Sequence, residues 1–151
     1  MLIWVLKPFS ALSLSELYAA LKARQQVFVV EQHCAYLDLD DCDQMSHHLF
    51  GFDEAHQLAA YCRLVPPCIK FTEPSIGRVL TLPSVRGKGY GKALMHTAIS
   101  HIQQLYPRQP IRIGAQLYLE RFYNTFGFVR ASLPYDEDGI AHIEMLRAAD
   151  A

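Results

Sequence analysis

Apolar residues in this chain fall into short runs cut by proline, glycine and acidic stretches, and their spacing alternates between strand-like and helix-like. Residues 2–6 form an apolar run that ends at Pro8, which predicts a strand. In "SLSELYAALKARQQVF", Leu14, Leu17, Leu21 and Phe28 recur near one stripe of a helix. Ser13 followed by Glu16 reads as its capping box. "EQHCAYLDLDDCDQMSHH" has no clean period and many acids, so it reads as a long loop or a short helix between loops. "HLFGFDEAHQLAAYCRLV" predicts two strands around "DEAHQ", the second broken by Pro66 and Pro67. "SIGRVLTL" predicts another strand, stopped by Pro83.

A glycine-rich stretch and a helix follow, with Leu94, Met95, Ala98, Ile99 and Ile102 on the helix's inner face. "PIRIGA" is a buried-type strand, and "LYLERFYNTFG" a short helix with Gly127 placed to end it. "FVRASL" and "AHIEMLR" read as two last strands joined through the "DEDG" turn. The order β-α-loop-ββ-β-α-β-α-ββ predicts an α+β fold: a central mixed, mostly antiparallel sheet with helices on both faces.

The length, 151 residues, fits one domain with a real core, expected over residues 1–151. A formal net charge of −1 gives no overall pull toward nucleic acid or an anionic membrane. Cys34, Cys42, Cys62 and Cys68 show no paired spacing, which argues against a disulfide framework and for free thiols in a reducing, cytoplasmic setting. "MLIWVLKPF" is too short for a signal peptide or a span. "EQHC" with Cys42, His47 and His48 lacks a paired-ligand pattern, so no metal is expected.

"VRGKGYGKAL", between a strand and a helix, carries the clearest chemistry. A helix start exposes unpaired N–H groups and partial positive charge. Gly87, Gly89 and Gly91 allow a sharp turn and close approach, and Arg86, Lys88 and Lys92 add charge. Such a place suits phosphate oxygens. The P-loop pattern GxxxxGK[ST] and the dinucleotide GxGxxG are both absent there. The alternative is a turn that only connects strand to helix.

Arg86-x-x-Gly89-x-Gly91, after "VLTLP" and opening "KALMHTAI", resembles the acetyl-CoA pyrophosphate loop of the GNAT N-acetyltransferase superfamily. "YLERFYNTFGF" resembles that superfamily's late helix, ending in Tyr-x-x-x-Gly-Phe, and the element order agrees over nearly the whole chain. Within the superfamily, "RQQVFVVEQHCAYLDLDDCD", "HLFGF" and "YDEDGIAHIEM" are similar to the ElaA-like subfamily.

The resemblance implies acetyl transfer from acetyl-CoA to an amine of a small molecule, protein or peptide, in a ternary complex. It implies that backbone groups of Val79, Leu80, Thr81 and Leu82 hold the pantetheine arm. Residues 86–92, Tyr90 and Lys92 included, would hold the pyrophosphate. Many members carry Asn seven residues before the helix tyrosine; Gln116 stands there instead.

Tyr123 matches the helix tyrosine that protonates the departing thiolate; the alternative is a core aromatic beside Phe122, Phe126 and Phe128. An amine of pKa about 10.4 must lose a proton first, at a cost of about 4.6 kcal/mol at pH 7. Candidate bases are Glu31, His142 and Glu144. His142 and Glu144 share one face of the last strand, alternating with Ala141, Ile143 and Met145. Each has a structural alternative: a satisfied histidine, or a solvated or capping carboxylate. Asp38, Asp40, Asp41 and Asp43 either meet a cationic acceptor or form a solvated loop.

"R-x-x-VF-x-x-E" followed by "DLDDCD" is also similar to acyl-homoserine-lactone synthases, which share the fold but draw acyl chains from acyl carrier protein; the intact Arg86–Gly91 loop favours CoA. A non-catalytic acyl-CoA-binding module is the third reading. A homodimer is left open.

Overall fold

β1 (Ile3–Pro8) lies antiparallel to β2 (His47–Phe52), which pairs with β3 (Leu58–Val65), which in turn pairs with β4 (Ser75–Thr81). The second group of strands centres on β8 (Ile140–Arg147). β5 (Ile111–Gln116) pairs with β8, as do β6 (Phe128–Arg130) and β7 (Tyr135–Glu137). The computed structural model describes residues 1–150. Among the described residues no helix is long and apolar enough to cross a membrane.

The single central sheet expected from the sequence is in fact two four-stranded antiparallel halves, with β4 and β5 where they meet. The starts of these strands are tied together: the Arg112 N–H donates to the Pro74 carbonyl at 3.1 Å, and the Arg112 side chain reaches Glu73. Beyond that no ladder joins them among the described residues. Helix α2 (Tyr90–Leu105) bridges the halves from one face. Its predicted inner face, Leu94, Met95, Ala98, Ile99 and Ile102, is buried against Ile76 of β4, Ile113 of β5 and Ile143 of β8. Burying each large aliphatic side chain is worth roughly 1.5–3 kcal/mol, so this shared core can hold the halves together without a ladder.

α1 (Leu14–Arg24) covers the other face. Its capping box is present: the Glu16 N–H donates to Ser13 Oγ at 3.0 Å and the Ser13 N–H to Glu16 Oε1 at 2.8 Å. The expected stripe needs correction. Leu14, in the first turn, is 87% exposed, and the buried positions are Ala20, Ala23 and Arg24, with Val27 beyond. Small alanines let the helix approach Phe50, Tyr61 and Leu80 closely. The helix then widens into π-type turns over residues 25–31, and the Cys34 N–H returns to the Val29 carbonyl at 3.0 Å.

The ending also differs from expectation. "FVRASL" keeps only three residues in β6, and the "DEDG" turn instead joins β8 to the extra strand β7, which the sequence pattern did not separate. Gly127, at φ +91°, ends the run containing α3 (Glu120–Asn124) as expected.

Candidate active site

Where β4 and β5 part, a cleft of about 750 Å³ opens between the half-sheets. Leu80 and Thr81 of β4, Gln116 of β5 and Tyr123 of α3 line it. Leu82 instead packs among the residues under α1. β4 is also kinked. Arg78 has φ +51°, unusual for a side chain of that size, and the β3–β4 register shifts between Tyr61 and Arg63. Nothing in "SIGRVLTL" announced this bulge; it leaves part of the β4 backbone free of its neighbour.

The glycine stretch forms a turn into α2. Gly87 and Gly89 both have left-handed backbones, at φ +86° and +79°, and a side chain added at either would meet open space. Gly89 is the N-cap, no side chain caps the first turn, and no acid stands in it. Unpaired N–H groups, an open approach and the exposed Lys88 and Lys92 suit a phosphate group. Gly91 is less constrained, since an added carbon would meet Phe122 at an ordinary 3.8 Å.

Arg86 lines the cleft beside this turn. Its guanidinium donates to both carboxylate oxygens of Glu31, with Nη2–Oε1 at 2.8 Å, and to the Thr81 carbonyl at 3.0 Å. The hydrogen bonds from Arg86 hold the Glu31 carboxyl below its ordinary pKa. Glu31 reaches the cleft, as expected, but as a paired carboxylate rather than a free one.

Tyr123 and His142 both border the cleft. Burial pushes the Tyr123 phenol well above its ordinary pKa, so it stays protonated, as a proton donor must. His142, in register with Gln116 and Tyr135, stacks on Tyr135 at 5.9 Å. Gln116 donates its amide to Gln32 Oε1 at 3.2 Å. Glu144 is not brought to this group. It accepts from Arg112 Nη1 at 3.0 Å, on the side where Arg112 also holds Glu73. Sharing a strand face with His142 put Glu144 two residues further along, beyond the cleft wall.

The acidic loop is neither solvated nor free for a cation, which corrects both expectations for Asp38, Asp40 and Asp43. Arg24 and Arg63, 0% and 1% exposed, are buried under it. Asp43 Oδ1 accepts from Arg24 Nη1 at 2.7 Å and from Arg63 Nη1 at 2.9 Å. Asp40 takes a two-pronged contact from Arg63 at 2.7 and 2.8 Å, and Lys70 at 3.0 Å. Asp38 accepts from Arg24 Nε at 2.8 Å. Arg78 Nε lies 2.8 Å from Asp38 Oδ1 without a hydrogen aimed along the line, an ion contact rather than a hydrogen bond. Burial alone would raise the Asp40 pKa; the arginine and lysine contacts outweigh it and hold the carboxyl far below its usual range. The network fixes the loop that supplies Gln32, Cys34 and Tyr36 to the cleft wall. The available signal was Arg63 inside the apolar run "AAYCRLV": a buried arginine in a central strand requires a counter-charge.

Comparison with known proteins identifies the family and the fold. A family profile described as "Acetyltransferase (GNAT) domain" matches residues 16–148. The chain is 43% identical over 143 residues to a UPF0039 protein of Synechocystis, covering 95% of this chain and 93% of that one. It is 39% identical over 140 residues to Protein ElaA of Escherichia coli, covering 91% of each. The crystal structure of an acyl-CoA N-acyltransferase from Pseudomonas aeruginosa superposes with a TM-score of 0.93 at 40% identity, covering 98% of this chain and 100% of that one. The chain belongs to the GNAT acetyltransferase family, and is an acyltransferase that takes its acyl group from acyl-CoA.

Proposed function

We propose that the acyl group is acetyl, that the acceptor is an amine, and that transfer occurs with both bound. One observation carries this reading: the uncapped turn at Gly89, the parted edge of β4, the protonated Tyr123 and the imidazole of His142 all border or adjoin one cleft. Acetyl-CoA supplies the activated acyl group, on a thioester. The N–H groups of residues 87–92, with Arg86, hold its pyrophosphate; backbone groups of β4 from Val79 to Thr81 hold the pantetheine arm. Tyr123 gives its proton to the departing sulfur, and its buried environment keeps that proton available through neutral pH.

His142 takes the proton from the amine. Its Nδ1 lies 2.8 Å from the Ile140 carbonyl, which can only accept, so Nδ1 carries a hydrogen and Nε2 is the atom that receives. Glu31, paired with Arg86, belongs to the cosubstrate side rather than to proton removal. The unpaired thiols of Cys34, Cys42, Cys62 and Cys68 suit a reducing cytoplasm. Free-thiol release from acetyl-CoA, followed across a panel of amines and peptides, tests the reading: at least one amine should raise release above the acceptor-free rate. Release that no amine raises would contradict it.

A further inference from the structure

Four carboxylates border the cleft, Glu31, Asp40, Glu137 and Asp138, and the first three differ in what they already hold. Glu31 is taken by Arg86. Asp40 is taken by Arg63, Arg78 and Lys70. Glu137, at the end of β7 and 58% exposed, has the His142 ring as its sole side-chain partner among the described residues, with Oε2 3.3 Å from Nε2. The hydrogen on His142 Nδ1 is committed to the Ile140 carbonyl. In the neutral ring, Nε2 therefore carries a lone pair and no hydrogen, it lies beside a negative oxygen without being aligned on it, and neither atom offers the other a proton. Two acceptors so placed are complementary to a third group that donates twice. An ammonium nitrogen about 2.8 Å from each fits a pair 3.3 Å apart, giving one N–H to each.

The surroundings hold the pair in position. The imidazole is buried and stacked on Tyr135, so it cannot swing away. The β7–β8 turn is fastened to the opposite wall, where Cys34 Sγ donates to the Asp138 carbonyl at 3.3 Å. The Gly139 N–H donates to Asp136 Oδ2 at 3.2 Å, which tightens the turn. Asp138 borders the same wall and adds negative charge.

The geometry points to Glu137 and His142 Nε2 as the receptor for the acceptor's ammonium group, which assigns the acceptor to protonated alkyl amines rather than hydroxyl compounds or amines that are neutral at pH 7. This rests on the reading of the cleft as the transfer site. Glu137 binds the cation and brings it against Nε2; the ammonium then passes one N–H proton to Nε2, its N–H bonding pair staying on the amine nitrogen as the lone pair that attacks. The imidazolium so formed lies beside Glu137, whose charge offsets its own.

The test titrates the CoA-saturated protein with propylammonium, followed through the imidazole NMR signals of His142. The wild type should show saturable shifts. Glu137→Gln should weaken the affinity at least fivefold, and Glu137→Asp, which keeps the charge, should recover part of it. Propanol, of like size and uncharged, should give no saturable shift. No saturable response in the wild type, equal affinity in Glu137→Gln, or Glu137→Asp binding no better than Glu137→Gln would each overturn the assignment. Binding of CoA is measured first in the same samples. A protein that fails to bind CoA yet still binds propylammonium through Glu137 would refute the transfer site and leave the receptor standing.

Discussion

Arg86 grips Glu31 with both arms of its guanidinium and adds the Thr81 carbonyl, so the arginine that leads into the glycine turn is already engaged. In the proposed site, phosphate oxygens would compete with that carboxylate for the same donors. The pair is substantially exposed, and exposed pairs are worth at most about 1 kcal/mol. Glu31→Gln should therefore tighten acetyl-CoA binding by up to about fivefold, while leaving the pH dependence of turnover unchanged. Calorimetry and a pH–rate series check the two halves. Weaker binding would contradict the competition, and a lost acidic limb would return Glu31 to the role of base.

Tyr123→Phe keeps the ring packed between Phe122 and Phe128 and removes only the phenol. Turnover should fall by about a hundred- to ten-thousand-fold, as for loss of a general acid, with acetyl-CoA affinity unchanged. Steady-state kinetics beside calorimetry separates the two. Undiminished turnover would leave Tyr123 as a core aromatic only.

His142→Gln keeps a hydrogen-bonding group near the Ile140 carbonyl and removes the proton-accepting nitrogen. The rate should fall and the acidic limb of its pH profile should flatten. An unchanged profile would assign proton removal elsewhere.

Much of this was legible in the chain. α2's buried face and the capping box at Ser13 were readable because each depends on residues a few positions apart. The glycine turn was readable for the same reason. What escaped depends on distant partners. The split between β4 and β5 is a missing ladder, and absent hydrogen bonds leave no mark in "SIGRVLTL" or "PIRIGA". Asp43 looks like a solvated acid until Arg24, 19 residues earlier, and Arg63, 20 later, are folded onto it. Glu137 looked like part of a turn; only pairing of β7 with β8 turns it toward His142.

That buried network gives a stability prediction with a definite sign. Asp43→Asn leaves Arg24 and Arg63 short of a counter-charge in the interior, which should cost about 3–5 kcal/mol at pH 7. Burial alone would raise the Asp43 pKa, but hydrogen bonds from Arg24 and Arg63 outweigh it and hold the carboxyl below its ordinary value. A carboxyl depressed in the folded state contributes stability that is fully present above its unfolded pKa of about 3.9 and is lost as pH falls through the folded value. In urea titrations, the gap between wild type and Asp43→Asn should therefore stay constant near neutrality and narrow below about pH 3.9. A gap that widens on acidification would contradict the network's charge state.

The account stands most directly on the turn at Gly89. Its left-handed backbone, at φ +79°, disfavours any β-branched side chain, and the open space beside it is where the proposed site would admit phosphate oxygens. Calorimetric titration of acetyl-CoA into wild type and Gly89→Val, with circular dichroism to show that both are folded, measures this. The account predicts saturable binding by the wild type and none by the folded variant; a folded Gly89→Val that binds acetyl-CoA as tightly as the wild type would contradict it.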